Sequence, residues 1–339
     1  MNKKPIKDKS RYIPHRYLGF CPAPYFSEGN NYHNSLGYRG REITLPKPDG
    51  EFRIICLGDS TTYSDQIKDF RFSYPDLLEK ELMEKGYSDI TVINAGAGGY
   101  SSWETLIDFE MRIIDLEPDL ITIYPGVNDI HCRFVWPKEF YLGDNSGRRI
   151  ANHALIYMPS IWEHSALLRM LSIKMGFLKP HSRISRTLSV ASSKYYGDEF
   201  SKQKKNGIYP SGIFREISAR DMLINNPPRY LIRNIENIIA IAKFRRIEVL
   251  IVTFAYSPLF YDRPRAASEE YVSSYEEHND ILKLIAEETG VHLFDLASLF
   301  PKGKEYFVDG RHVNIEGSKL QARLLANFID EEQLIIRKE

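Results

Sequence analysis

Nowhere in the 339 residues is there a run approaching the ~18 consecutive apolar residues that a membrane-spanning helix needs. Charge of one sign is not in excess either: 45 Lys and Arg stand against 45 Asp and Glu, so nothing in the overall balance points to a nucleic-acid partner. Cysteine is sparse and odd in number. Cys21, Cys56 and Cys132 do not make a disulfide framework, and no Cys/His cluster has the spacing of a zinc site. Residues 1–16 are basic and polar, without the apolar core of a secretory signal, so the expected location is cytoplasmic. Internal repeats and low-complexity tracts are not seen.

What is present is apolar residues arranged in a rhythm. At 43% hydrophobic and 27% charged, the chain has the material for a large core. Residues 1–50 are the exception. Pro5, Pro14, Pro22, Pro24, Pro46 and Pro48 break any long helix, and the expectation is an irregular arm that packs over the domain through its aromatics. From residue 51 a strand–helix alternation begins. Apolar strands are expected at 53–57, 91–94, 119–124, 248–253 and 291–295. Helices are expected at 75–85, 101–117, 230–246, 269–289 and 315–330. Pro75 and Gly86 punctuate the first helix, and Ser101 with Glu104 gives the second a capping box. Near-continuous apolar strands that alternate with helices imply a parallel sheet covered on both faces. With right-handed crossovers this is a three-layer α/β/α sandwich on a five-stranded, doubly wound, flavodoxin-like sheet. The alternation stops over 131–228, which reads as a long insertion or lid after the third strand.

Polar motifs cluster at the strand ends. The first strand runs into Gly58-Asp59-Ser60, the second into a loop holding Gly96, Gly98 and Gly99, and the third into Gly126-Val127-Asn128-Asp129. In a doubly wound sheet those carboxyl ends converge on one crevice. Just before the last helix comes Asp309-Gly310-Arg311-His312. That spacing can set a carboxylate against one imidazole nitrogen and leave the other to face a nucleophile. Each piece has an ordinary reading as well. Ser60 can be a helix cap, Asn128 a turn residue, and Asp309 with His312 a pair of metal ligands. Asp59 and Asp129 read as turn-holding residues. No Lys-Ser/Thr follows the glycines, so a P-loop is not supported.

Taken together and in this order, the four blocks resemble the SGNH hydrolases, also called GDSL-type esterases and lipases. The resemblance covers about 52–130 and 229–330 and leaves out the insertion. It implies that Ser60 is the nucleophile, His312 the general base and Asp309 the residue that orients it. It also implies an oxyanion hole built from the Ser60 and Gly99 backbone N–H groups and the Asn128 side-chain amide. Gly99 is chosen over Gly96 and Gly98 because it is followed by Tyr100 and then Ser101. No metal or other cofactor is called for.

The substrate is less legible. A small-molecule or glycan ester is expected, with a carbohydrate O-acetyl or short-acyl group as the leading choice. A lysophospholipase- or thioesterase-type lipid hydrolase, or an O-acyltransferase using the same serine, is the alternative. Between residues 148 and 221 there are thirteen Lys/Arg and five Asp/Glu, a basic segment suited to an anionic substrate or simply to its own acidic domain. The apolar stretch 165–178, with Arg169 and Lys174, reads as a lid helix, a dimer contact or a peripheral membrane contact.

Overall fold

Phe52–Gly58 (β1) is buried on both faces and apolar except for Arg53, which suits a central strand between two helical layers. In this computed structural model, residues 11–15, 17–136, 138, 141, 143, 165–176, 194–195 and 217–336 are described. β1 pairs in parallel with Ile90–Asn94 (β2) on one side and Leu120–Tyr124 (β3) on the other. Glu248–Val252 (β4) and His292–Phe294 (β5) extend the sheet beyond β3, giving the order β2-β1-β3-β4-β5. This is the expected five-stranded parallel sheet, and its order reverses at β1, where the crevice must open.

Alternation along the strands assigns the two faces. Phe52, Ile54 and Cys56 pack with Leu78 and Leu82 of Tyr74–Glu84 (α2) and with Leu325 and Ile329 of Ile315–Glu331, the last helix. Ile55 and Leu57 point the other way. They meet Phe109 and Ile113, then Ile235 and Ile238 of the helix Arg229–Phe244 and Ile285 of the helix Glu269–Thr289. The three-layer sandwich follows from that two-residue period.

Several elements differ from the sequence expectation. The helix expected over 101–117 is α-helical only from Ser102 to Asp108 (α3). It then widens into a π turn at Phe109–Ile113 and tightens at Ile114–Leu116. Phe109 and Ile113 both stay in the core, and Glu117, with φ +52°, ends the run before Pro118. The N-terminal arm is not wholly irregular. Tyr12–His15 pairs with Gly19–Pro22, and Ser27–Glu28 with Asn31–Tyr32, each as a small antiparallel hairpin. Val127–Arg133 (α4) and Ala219–Asn225 are short helices, one opening and one closing the region read as an insertion. α4 carries no recognisable period because all its side chains are buried, whereas Ala219–Asn225 buries Ala219, Met222 and Leu223 on one face of a helix only two turns long. Ala166–Lys174 (α5) is helical as expected, but Leu167, Met170 and Met175 are exposed rather than packed on the core. Most of the basic stretch 148–221 lies outside the described residues. Among the described residues, no helix is long and apolar enough to cross a membrane.

Candidate active site

β1 ends in a turn that only a glycine permits. A Cβ on Gly58 would lie 2.2 Å from Thr62 Oγ1 and 2.6 Å from the Tyr124 carbonyl of β3, so a side chain would push the turn away from the sheet. Asp59 follows as the N-cap of the one-turn helix Ser60–Tyr63 (α1), and its Oδ1 accepts from both the backbone N–H and the hydroxyl of Thr61. Ser60 is therefore the first residue of a helix, held in place by the residue before it.

The other half of the site comes from the far end of the chain. Phe307 and Val313 form an antiparallel bridge, which folds the segment between them into a tight loop. Gly310 sits at φ +83°, where an added Cβ would meet Ala266 Cβ at 2.5 Å and the Ser257 carbonyl at 2.7 Å. Its own carbonyl accepts from the Ser257 N–H at 2.8 Å, which pins the loop to the segment after β4. Asn314 then caps the last helix by accepting from the Gly317 N–H.

This loop brings the sequence-predicted residues together. His312 Nε2 lies 2.9 Å from Ser60 Oγ across 252 positions of sequence. His312 Nδ1 lies 2.9 Å from Asp309 Oδ2 and 3.1 Å from Oδ1. The shortest consistent assignment has Nδ1–H donating to Asp309 and Nε2 accepting from the Ser60 hydroxyl. Asp309 also accepts the backbone N–H groups of Arg311 and His312, at 3.0 and 2.9 Å, and Arg311 Nη2 at 2.8 Å. Burial alone would raise its carboxyl pKa. The hydrogen bond from His312 and the Arg311 charge outweigh it and hold the carboxyl well below the usual range. The sequence reading did not single out Arg311, although it lies inside the Asp-x-x-His block.

Asn128, on the first turn of α4, joins the same cluster. Its Nδ2 donates to Asp59 Oδ2 at 2.9 Å, and its Oδ1 lies 3.3 Å from His131 Nδ1. Asp59 thus orients both the serine turn and the asparagine, a double duty the sequence reading had reduced to holding the turn. Burial pushes the Asp59 carboxyl pKa up against the hydrogen bonds from Thr61. Asp129 accepts the Ser102 N–H and hydroxyl, tying α4 to the start of α3. Burial lifts its pKa to about 7.

The glycine loop follows β2, and its Ala97 N–H donates to the Gly58 carbonyl at 3.2 Å, so it lies alongside the serine turn. Of the glycines weighed as oxyanion donors, Gly96 donates its N–H to Asn94 Oδ1, and Gly98 donates to the Tyr12 hydroxyl at 2.9 Å. Gly99 adopts φ +91° beside Phe20. Ser101 donates its N–H and hydroxyl to Glu104, the expected capping box of α3.

The profile of the GDSL-like lipase/acylhydrolase family matches residues 56–320. Similar solved structures include a lipase/acylhydrolase from Enterococcus faecalis, at 16% identity and TM-score 0.47 over 85% of this chain and 99% of that one. A GDSL-like lipase from Bacteroides thetaiotaomicron shows 14% identity and TM-score 0.45 over 85% and 93% of the two chains. An acetyl xylan esterase, AlAXEase, shows 15% identity and TM-score 0.46 over 82% and 100%. No curated protein matches the chain. With the profile spanning the serine turn, the glycine loop, the asparagine helix and the histidine loop, the chain belongs to the GDSL-like lipase/acylhydrolase family of ester-hydrolysing enzymes.

Proposed function

We propose that the protein hydrolyses a carboxylic ester through Ser60, His312 and Asp309, and that its substrate is a carbohydrate carrying an O-acetyl or other short acyl group. The observation that carries the reaction is the continuous hydrogen-bond chain from Ser60 Oγ through the imidazole to Asp309, 2.9 Å at each step. Ser60 Oγ attacks the ester carbonyl while His312 Nε2 takes its proton, and the same proton goes to the departing alkoxide. Water then repeats the sequence on the acyl-enzyme. Asp309 keeps Nδ1 protonated, so that Nε2 is the basic nitrogen, and it stabilises the imidazolium. The oxyanion is assigned to the Ser60 and Gly99 N–H groups and to the Asn128 side-chain amide, which also donates to Asp59. Asp59 fixes that amide's direction before substrate arrives.

A short acyl group is supported by what lies under the turn. Tyr74, Tyr124 and Phe254 are buried there with rings in contact, so the core below the strand ends is filled. A second reading, a lipid-type ester hydrolase, is favoured by one observation, the exposed Leu167, Met170 and Met175 of α5. A p-nitrophenyl ester series from acetyl to dodecanoyl, run on wild type and Ser60→Ala, separates them. The expected result is a maximum at acetyl to butyryl, with turnover by the Ala variant at background. A rise toward dodecanoyl selects the lipid reading. A wild type inert on every ester, or an Ala variant at full rate, overturns the hydrolase assignment.

A further inference from the structure

The N-terminal arm lies outside the family profile, which begins at residue 56, yet it reaches the catalytic turn. Its contact is specific. Arg39 is buried, and its guanidinium donates to the carbonyls of Tyr63, Ser64 and Ile67, at and just beyond the carboxyl end of α1. Its Nε donates to Asn31 Oδ1 at 2.9 Å. The same guanidinium lies over the Tyr63 ring, 4.7 Å from the centroid. Two more arm residues hold that ring from its hydroxyl: Asn31 Oδ1 accepts from it at 3.1 Å, and His33 Nε2 lies 2.9 Å away. Arg39 also pairs through its backbone with Asn94, the last residue of β2 and the entry to the glycine loop.

The catalytic helix needs such a partner. It is one turn long, and a single turn has little stability of its own. Its terminal carbonyls have no further turn to receive. Ser64, immediately after it, is a non-glycine residue in the left-handed region at φ +60° and ψ +54°, a conformation that persists only when its surroundings impose it. A planar guanidinium can reach several carbonyls at once, which a single ammonium cannot. Asp59 fixes the amino end of α1, and Ser60 lies between that cap and the arm's grip.

Resting on the reading of Ser60 as nucleophile, we infer that Arg39 is a positioning residue for catalysis: it clamps the carboxyl end of the nucleophile helix and ties it to the strand that feeds the glycine loop. The clamp sets where Ser60 Oγ stands relative to His312 Nε2 and the oxyanion donors. Because Arg39 is buried behind the turn, it acts through α1 and not on substrate.

The test compares full-length wild type, Arg39→Lys and Arg39→Met. Active sites are counted by end-point titration with a p-nitrophenyl phosphonate ester, and kcat is expressed per titrated site. Misplacing a reacting group by about an ångström can cost on the order of 100-fold in rate. Arg39→Met should therefore lose about 10- to 100-fold in kcat per site with KM within about threefold of wild type. Arg39→Lys should fall between the two. A residue that served folding alone would lower the titrated fraction and leave kcat per site unchanged. Amide hydrogen exchange on the ligand-free variants supplies a readout independent of the reaction. Exchange over residues 60–67 should accelerate while that of β3 and β4 stays as in wild type. A kcat per site within about twofold of wild type in Arg39→Met, or unchanged exchange over 60–67, overturns the inference. A wild type that turns over no ester overturns the hydrolase reading instead, and the exchange measurement still decides whether Arg39 clamps the turn.

Discussion

Replacing Asp309 with Asn changes one oxygen to an NH2 group and tests the hydrogen-bond chain at its far end. The carboxylate now faces donors only: the backbone N–H groups of Arg311 and His312 at Oδ1, and Arg311 Nη2 with the His312 ring nitrogen at Oδ2. An asparagine can keep one oxygen for the two backbone donors. Its NH2 then points at Arg311 Nη2 and at His312 Nδ1–H, donor against donor. The imidazole escapes by moving its proton to Nε2, so that Nδ1 accepts from the amide. Nε2–H then faces Ser60 Oγ and cannot take its proton. The same wrong-tautomer outcome in a Ser-His-Asp protease costs about 10⁴ in kcat, which corresponds to about 5 kcal/mol of barrier. KM should change little, because Asp309 sits behind the imidazole from Ser60. The assay is steady-state hydrolysis of the best p-nitrophenyl ester, with circular dichroism to show that the fold is intact. A folded Asp309→Asn variant that keeps more than about a tenth of wild-type kcat would remove Asp309 from the catalytic chain.

Asn128→Ala removes one assigned oxyanion donor and should lower kcat by about 10²–10³. Its check is kcat at saturating ester, where a loss confined to KM would assign Asn128 to ground-state binding. His33 yields a pH prediction for the arm. Burial, with the Arg11 and Arg39 charges, lowers its pKa from 6.5 to about 4. The native state then stays neutral at His33 while the unfolded chain takes up a proton below 6.5. Stability conferred by the neutral ring is therefore full above about pH 6.5 and is lost as pH falls toward 4, by about 3 kcal/mol. Urea unfolding of wild type and His33→Gln across that window should show curves that converge as the pH drops, and parallel curves would refute it.

The sheet was legible because its strands are buried on both faces and read as apolar runs, and because Pro75, Gly86 and Gly290 mark helix ends that the structure keeps. The site was legible as motifs for a related reason. Gly58 and Gly310 are demanded by backbone approach or by positive φ, so the turns around Ser60 and His312 leave a trace in sequence. Helices without a period left none. α4 is buried all round, and α1 is too short to show one. Arg311 was overlooked because a lone arginine inside a short motif has no pattern that distinguishes a carboxylate partner from a surface charge. Arg39 and Tyr12 were hidden more deeply. They lie in a proline-broken segment, and their partners are the backbone groups of Tyr63, Ser64, Ile67 and Gly98, which every sequence possesses.

That contrast bears on how the site is built. The residues assigned to the chemistry lie on tight turns, after β1 and in the loop before the last helix, and their neighbours must be small or must cap, so the sequence around them is constrained and readable. Residues that hold those turns in place need only a hydrogen-bonding group and a reach. Arg39 meets this with a guanidinium on backbone carbonyls, Tyr12 with a phenol that accepts the Gly98 N–H, and Asp59 with a carboxylate shared by Thr61 and Asn128. Two of the three come from the arm, which also meets the body through aromatic contacts, Phe20 on Tyr100 and His33 on Tyr63, and through ion pairs such as Arg11 with Asp65 and Lys47 with Asp119. The arm therefore touches the serine turn and the glycine loop together, and a change that loosens it should disturb nucleophile and oxyanion donors at once. A variant of Arg39 and a variant of Tyr12 should consequently show non-additive losses of kcat, because the serine turn that Arg39 holds and the glycine loop that Tyr12 holds are joined by the Ala97 N–H to Gly58 carbonyl hydrogen bond.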